Sequence, residues 1–98
     1  MNENIEIILK ESIEELNAQL IGEEKLVYTP DERLLGNTGK LDSLAFVTLV
    51  SIIEDKLLDY TGKEIYLVND KAFSQENSPF YNIKSLTLFI ETLMKEAE

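Results

Sequence analysis

Three segments of this chain repeat apolar residues at every third or fourth position, the spacing that places them on one face of an α-helix. The first segment, residues 5–20, is followed by Gly22, a residue type that is common at helix C-termini. The second covers residues 44–58 and stops at Gly62, and the third covers residues 82–97. The apolar positions predicted to face a common core are Ile5, Leu9, Ile13, Leu16, Leu20, Phe46, Leu49, Val50, Ile53, Leu57, Ile83, Leu86, Phe89, Ile90, Leu93 and Ala97.

The segments that connect these helices contain weaker indications of secondary structure. Residues 29–32 form a Thr-Pro-Asp-Glu capping box, which predicts a short helical turn through Leu35. Residues 65–68 are β-rich but too short for a sheet, so we expect an extended connector packed on the core, and residues 69–73 could form one capped helical turn. We therefore predict a single all-α domain over residues 1–98, an irregular three-to-four-helix bundle with a long first loop.

The composition removes most kinds of active site. The chain has no histidine and no cysteine, so it offers no imidazole base, no thiol nucleophile and no thiolate metal site. Adjacent carboxylates such as Glu14-Glu15 and Glu54-Asp55 point in different directions from a helix and are typical of solvated faces. A small enzyme that used a carboxylate pair would lack any convergent set of residues. We therefore expect that the protein is not an enzyme and binds no metal.

The charge balance indicates which partners the chain can attract. Nineteen acidic residues against nine basic ones give a net charge of −10, which repels nucleic acid and favours partners with basic patches. The alternative is that the charge serves solubility only. No apolar run approaches the roughly 20 residues that span a bilayer, and the N-terminus lacks the features of a signal peptide. We expect a cytoplasmic monomer that does not insert into membranes.

Ser43 stands where a glycine-containing loop meets the second helix. The N-terminus of a helix favours negative charge, so a hydroxyl at this position suits a covalently attached phosphate. An ordinary structural role is also open, because serine is a favoured N-cap and Asp42 would suit the helix dipole.

The surrounding sequence distinguishes Ser43 from an ordinary cap. The run Gly-Lys-Leu-Asp-Ser-Leu over residues 39–44, with the apolar phase of the helix that follows, resembles the acyl carrier protein family. The resemblance covers nearly the whole chain, including the long first loop and the final helix. It implies that Ser43 carries a covalent 4′-phosphopantetheine, with Asp42 and Leu44 completing the recognition triplet. The missing cysteine is then unimportant, because the reactive thiol belongs to the prosthetic group.

The resemblance also implies a function. Such a protein carries acyl or aminoacyl groups as thioesters, as in lipid or polyketide biosynthesis, and its partners are a phosphopantetheinyl transferase and acyl-activating or synthase enzymes. Typical fatty-acid carriers place acids early in the second helix, whereas this chain has Ala45, Phe46 and Thr48 there. We therefore expect a specialised carrier. The alternative is an unmodified helical interaction module that keeps the carrier fold.

The outer face of the second helix is the expected partner surface. Val47 should contact partners. Leu44 either packs under the long loop or also contacts partners. Docking should depend more on apolar contact than on charge, and Phe46 on the core face should leave limited room for an acyl chain inside. The residues predicted to contact partners are Val47, Thr48, Ser51, Glu54 and Asp55.

Overall fold

The computed structural model describes residues 3–19, 25–34, 41–68 and 78–97 and is all-α, as predicted. Three helices follow one another in the described chain: α1 (Glu3–Asn17), α2 (Ser43–Thr61) and α3 (Ile83–Ala97). No strand occurs within these ranges, and the only extended pairing there is an isolated antiparallel bridge between Arg33 and Asn82. α1 packs more closely on α2 than on α3.

α1 ends earlier than its apolar pattern predicts. Its last helical residue is Asn17, whereas Leu20 and the expected terminator Gly22 lie outside the described residues. The Asn17 side chain pairs with the backbone of Leu26 on both sides. Its Nδ2 donates to the Leu26 carbonyl and its Oδ1 accepts from the Leu26 N–H, both at 2.8 Å. The amide therefore holds the returning chain against the end of the helix.

The short helix predicted from the capping box at residues 29–32 is wrong over the part of it that is described. The chain makes a single turn there, in which the Glu32 N–H donates to the Thr29 carbonyl at 3.1 Å. The Glu32 carboxylate accepts at 2.6 Å from the Val27 N–H, which lies before the predicted cap Thr29. The Leu34 N–H donates to the Tyr81 carbonyl at 3.0 Å. Pairing with the start of α3 thus replaces local helical pairing.

α2 is longer than its predicted range by one residue at its start and three at its end, since it runs from Ser43 to Thr61. The predicted stop at Gly62 is confirmed. This glycine has a φ of +74° and its N–H donates to the Leu58 carbonyl at 2.8 Å. Only glycine adopts this left-handed conformation without a steric cost. The connector that follows packs on the core as predicted, with Ile65 and Leu67 buried; residues 69–73 lie outside the described ranges.

The predicted core is confirmed for nearly every described position. Phe46 and Leu93 are the exceptions, because both are only half-buried at the edge of the core. The side chains of Leu20 and Ala97 lie outside the described set. The connections supply further core residues that helical periodicity cannot identify: Leu26, Leu34, Leu41, Ile65, Leu67 and Phe80.

Candidate functional site

The N-cap of α2 is Asp42, and Ser43 is the first helical residue. Asp42 has an extended backbone (φ −83°, ψ 178°), and its Oδ1 accepts from the Ala45 N–H at 2.8 Å. This corrects the reading of Ser43 as the cap. The carboxylate one residue earlier reaches the third N–H of the helix, which is the bond an N-cap makes.

Two contacts anchor this helix start from either side. On the loop side, the N–H of buried Leu41 donates to the Leu34 carbonyl at 3.2 Å. On the helix side, the Phe46 ring meets the buried Phe80 ring edge to face, with centroids 5.0 Å apart, and Phe80 in turn meets Phe89 at 6.2 Å. The first turn of α2 is therefore held by backbone pairing before Ser43 and by aromatic packing after it.

The side of α2 beyond Ser43 exposes apolar side chains. Leu44 is 76% exposed and Val47 is 57% exposed. Ser51 is also exposed, and half-buried Thr48 donates its hydroxyl to the Leu44 carbonyl at 2.9 Å. The structure thus brings four residues of the expected partner surface to one side of the helix, next to Ser43.

Glu54 has a structural task that the sequence does not reveal. Its carboxylate accepts from the Leu67 N–H at 2.9 Å and so holds the extended connector against α2. Its neighbour Asp55 is exposed. The two acids therefore differ in role although they are adjacent in sequence, and only the tertiary pairing with the connector distinguishes them.

A second exposed apolar surface lies near the C-terminal end of α2. Leu58, Tyr66 and Val68 are 40%, 59% and 48% exposed, respectively. The Tyr66 hydroxyl donates to Glu64 at 2.6 Å, and this hydrogen bond raises the pKa of the Tyr66 phenol. A shallow pocket of about 120 Å³ separates this tyrosine from α2. Helical periodicity places Leu58 on the outer side of α2, but alternation over four connector residues is too short a signal to identify Tyr66 and Val68.

The described residues hold no group of three or more acidic side chains that could bind a metal ion. None of the described helices combines the length and the apolar character needed to cross a bilayer. Comparison with known proteins finds no matching family model, no matching curated protein and no matching solved structure.

Proposed function

We propose that this chain is an acyl carrier protein that holds acyl or aminoacyl groups as thioesters on a 4′-phosphopantetheine joined to Ser43. The observation that carries the proposal is the cap of α2. Asp42 supplies it, so the helix does not need Ser43 as its N-cap. The serine of the Asp-Ser-Leu triplet then lacks its ordinary explanation as a cap.

The residues around Ser43 fit a phosphodiester. Beyond the capping Asp42, α2 has no acidic residue in its first turn, so no further carboxylate there competes with an anion for the positive end of the helix dipole. The Asp42 carboxylate is engaged with the Ala45 N–H. When bound, the prosthetic group would supply the thiol that the chain lacks.

The chain's own residues would position and present this site. Leu41 and Phe46 anchor the helix start, and exposed Leu44 and Val47 offer an apolar surface beside it. Three aromatic rings meet edge to face between α2 and α3: Phe46, Phe80 and Phe89. This packing favours cargo that is passed between partners over cargo stored among these rings.

The test is the intact mass of protein produced together with a phosphopantetheinyl transferase. The wild type should gain the mass of one phosphopantetheine and Ser43→Ala should gain none. Ser85→Ala is the matched control, because Ser85 also lies in the first turn of a helix, and it should be modified like the wild type. An unmodified wild type would support the interaction-module alternative, and a modified Ser43→Ala would move the site elsewhere.

A second experiment tests the partner surface. Val47→Asp should slow phosphopantetheine transfer strongly, because it places a charge in the middle of the exposed apolar side of α2. Asp55→Lys is the appropriate charge reversal, since Asp55 is exposed whereas Glu54 also holds the connector. If Asp55→Lys abolished transfer while Val47→Asp left it unchanged, recognition would be electrostatic and the apolar surface would not be the docking site.

A further inference from the structure

A groove of about 380 Å³ runs along α3 on a part of the molecule that includes no residue of α2. α3 supplies most of its lining, and Glu6 of α1 with Tyr28 and Pro30 of the returning loop supplies the rest. On the α3 side the groove extends from Ile83 to Glu91, a rise of eight residue steps or about 12 Å. This length equals about two turns of a second helix.

Apolar side chains are exposed at the groove and close to it in sequence. Leu88, which lines it, is 54% exposed, and Val27, next to the lining residue Tyr28, is 57% exposed. Leu88 also lines a shallow neighbouring depression with Tyr81, which is 42% exposed. Leu88 and Tyr81 line the same depression, and exposed apolar side chains that adjoin in this way mark interaction surfaces more often than isolated ones do.

The charges at the groove define the partner's chemistry. Glu6 lines it from α1 and Glu91 from α3, whereas Lys84 lies two turns before Glu91 on the same helix. Burial and the neighbouring Glu6 carboxylate raise the pKa of Tyr28. Like any tyrosine, it is neutral at physiological pH, and its hydroxyl can donate a hydrogen bond. Two carboxylates against one ammonium, in a chain of net charge −10, complement a basic partner.

We propose that this groove docks a basic amphipathic helix of a partner protein, whose apolar side chains pack on Tyr28, Pro30 and Leu88 while its lysine or arginine side chains face Glu6 and Glu91. Apolar anchors at helical spacing that enter a groove are a common mode of peptide recognition. An acidic residue of the partner would meet Lys84 and set the direction of the helix. This surface is independent of Ser43, so the inference does not depend on the proposed carrier function.

The test uses three model peptides of about 14 residues, or four helical turns, with amide chemical shifts of the labelled full chain as the readout. The first is an amphipathic leucine–lysine helix, the second has glutamate in place of lysine, and the third is a scrambled leucine–lysine sequence. The first should shift resonances of residues 28–30 and 83–91, and the other two should bind about tenfold more weakly or not at all. Ser43→Ala should bind the first peptide like the wild type.

Two matched variants locate the site. Leu88→Asp should weaken binding of the first peptide about tenfold, and Val47→Asp, on the similarly exposed side of α2, should leave it unchanged. Equal melting temperatures for the two variants would show that both are folded. Equal binding of the scrambled peptide, shifts confined to α2, absence of binding, or protection of Leu88 by lipid vesicles in place of the peptide would each overturn the proposal.

Discussion

The starts of α2 and α3 are built from similar residues but differ in the hydrogen bonds that cap them. Each has an Asx residue at the cap and a serine in the first turn. At α3, Asn82 and Ser85 bond reciprocally, with the Ser85 N–H donating to Asn82 at 2.8 Å and the Asn82 N–H donating to the Ser85 hydroxyl oxygen at 3.1 Å. The Ser85 hydroxyl also donates to the Pro79 carbonyl at 2.9 Å.

The loop that contains Pro30 and Glu32 caps further N–H groups of α3, whereas Asp42 alone caps α2 within the described ranges. The N–H groups of Ile83 and Lys84 donate to the carbonyls of Glu32 and Pro30 at 3.2 and 2.8 Å. At α2, the described cross-segment pairing stops at Leu41, two residues before Ser43. Ser85, the third residue of α3, is used by the fold as a cap partner, whereas Ser43, the first residue of α2, is not the cap of its helix. That contrast favours Ser43, not Ser85, as the residue open to modification.

The largest expected effect is on the free energy of unfolding, and it tests whether α2 and α3 share one core. Phe80 contacts the rings of Phe46 in α2 and Phe89 in α3. Phe80→Ala should lower the free energy of unfolding by about 3–5 kcal/mol, a large part of the roughly 5–15 kcal/mol that stabilises a domain. Urea denaturation measures this change. A loss below about 1 kcal/mol would mean that the two helix starts are anchored separately.

The next effect separates the two serines. Ser85→Ala should cost about 1–2 kcal/mol, because it removes a reciprocal cap and the bond to Pro79. Ser43→Ala should change stability by less than about 0.5 kcal/mol, because Asp42 and not Ser43 caps α2. Thermal unfolding of the two variants side by side makes the comparison. Equal losses would show that Ser43 also has a structural bond, and would weaken the contrast between the two helix starts.

A comparable or smaller effect concerns the cap of α2. Asp42→Ala should cost about 0.5–2 kcal/mol, whereas Asp42→Asn should be nearly neutral, because asparagine caps as well as aspartate. The asparagine variant keeps the bond to Ala45 but removes the charge. Slower phosphopantetheine transfer with unchanged stability would separate recognition from capping. If Asp42→Asn lost as much stability as Asp42→Ala, the carboxylate charge itself would be stabilising the helix.

The smallest effect lies further along α2, where Lys56 bridges to α1. Its Nζ is 3.0 Å from Glu15 Oε1 and 3.8 Å from Glu11 Oε2. Lys56→Met should cost about 0.2–1 kcal/mol, with less effect at 1 M salt because the charges are screened. The hydrogen bond to Glu15 is the main cause that raises the pKa of Lys56.

The pH dependence of this pair has a definite sign. Because the pKa of Lys56 is raised in the folded protein, its contribution is fully present below the ordinary lysine pKa of about 10.4 and is lost as the pH rises through the raised value. The stability difference between wild type and Lys56→Met should therefore be constant from pH 7 to 9 and shrink above about pH 10.4. A difference that shrinks already below pH 9 would contradict this assignment.

The sequence alone determined the three helices, most of their buried faces, the stop at Gly62 and the position of Ser43 beside an exposed apolar surface. These features are local, since helical periodicity and the left-handed preference of glycine act within a few residues. The tertiary structure decided the rest. The helix predicted after Pro30 gave way because Glu32 and Leu34 pair with the start of α3. Glu54 likewise accepts a hydrogen bond from a distant segment, the Leu67 N–H of the connector. Hydrogen bonds between distant segments satisfy the same donors and acceptors that local structure would use, and no local pattern shows which pairing is the more stable.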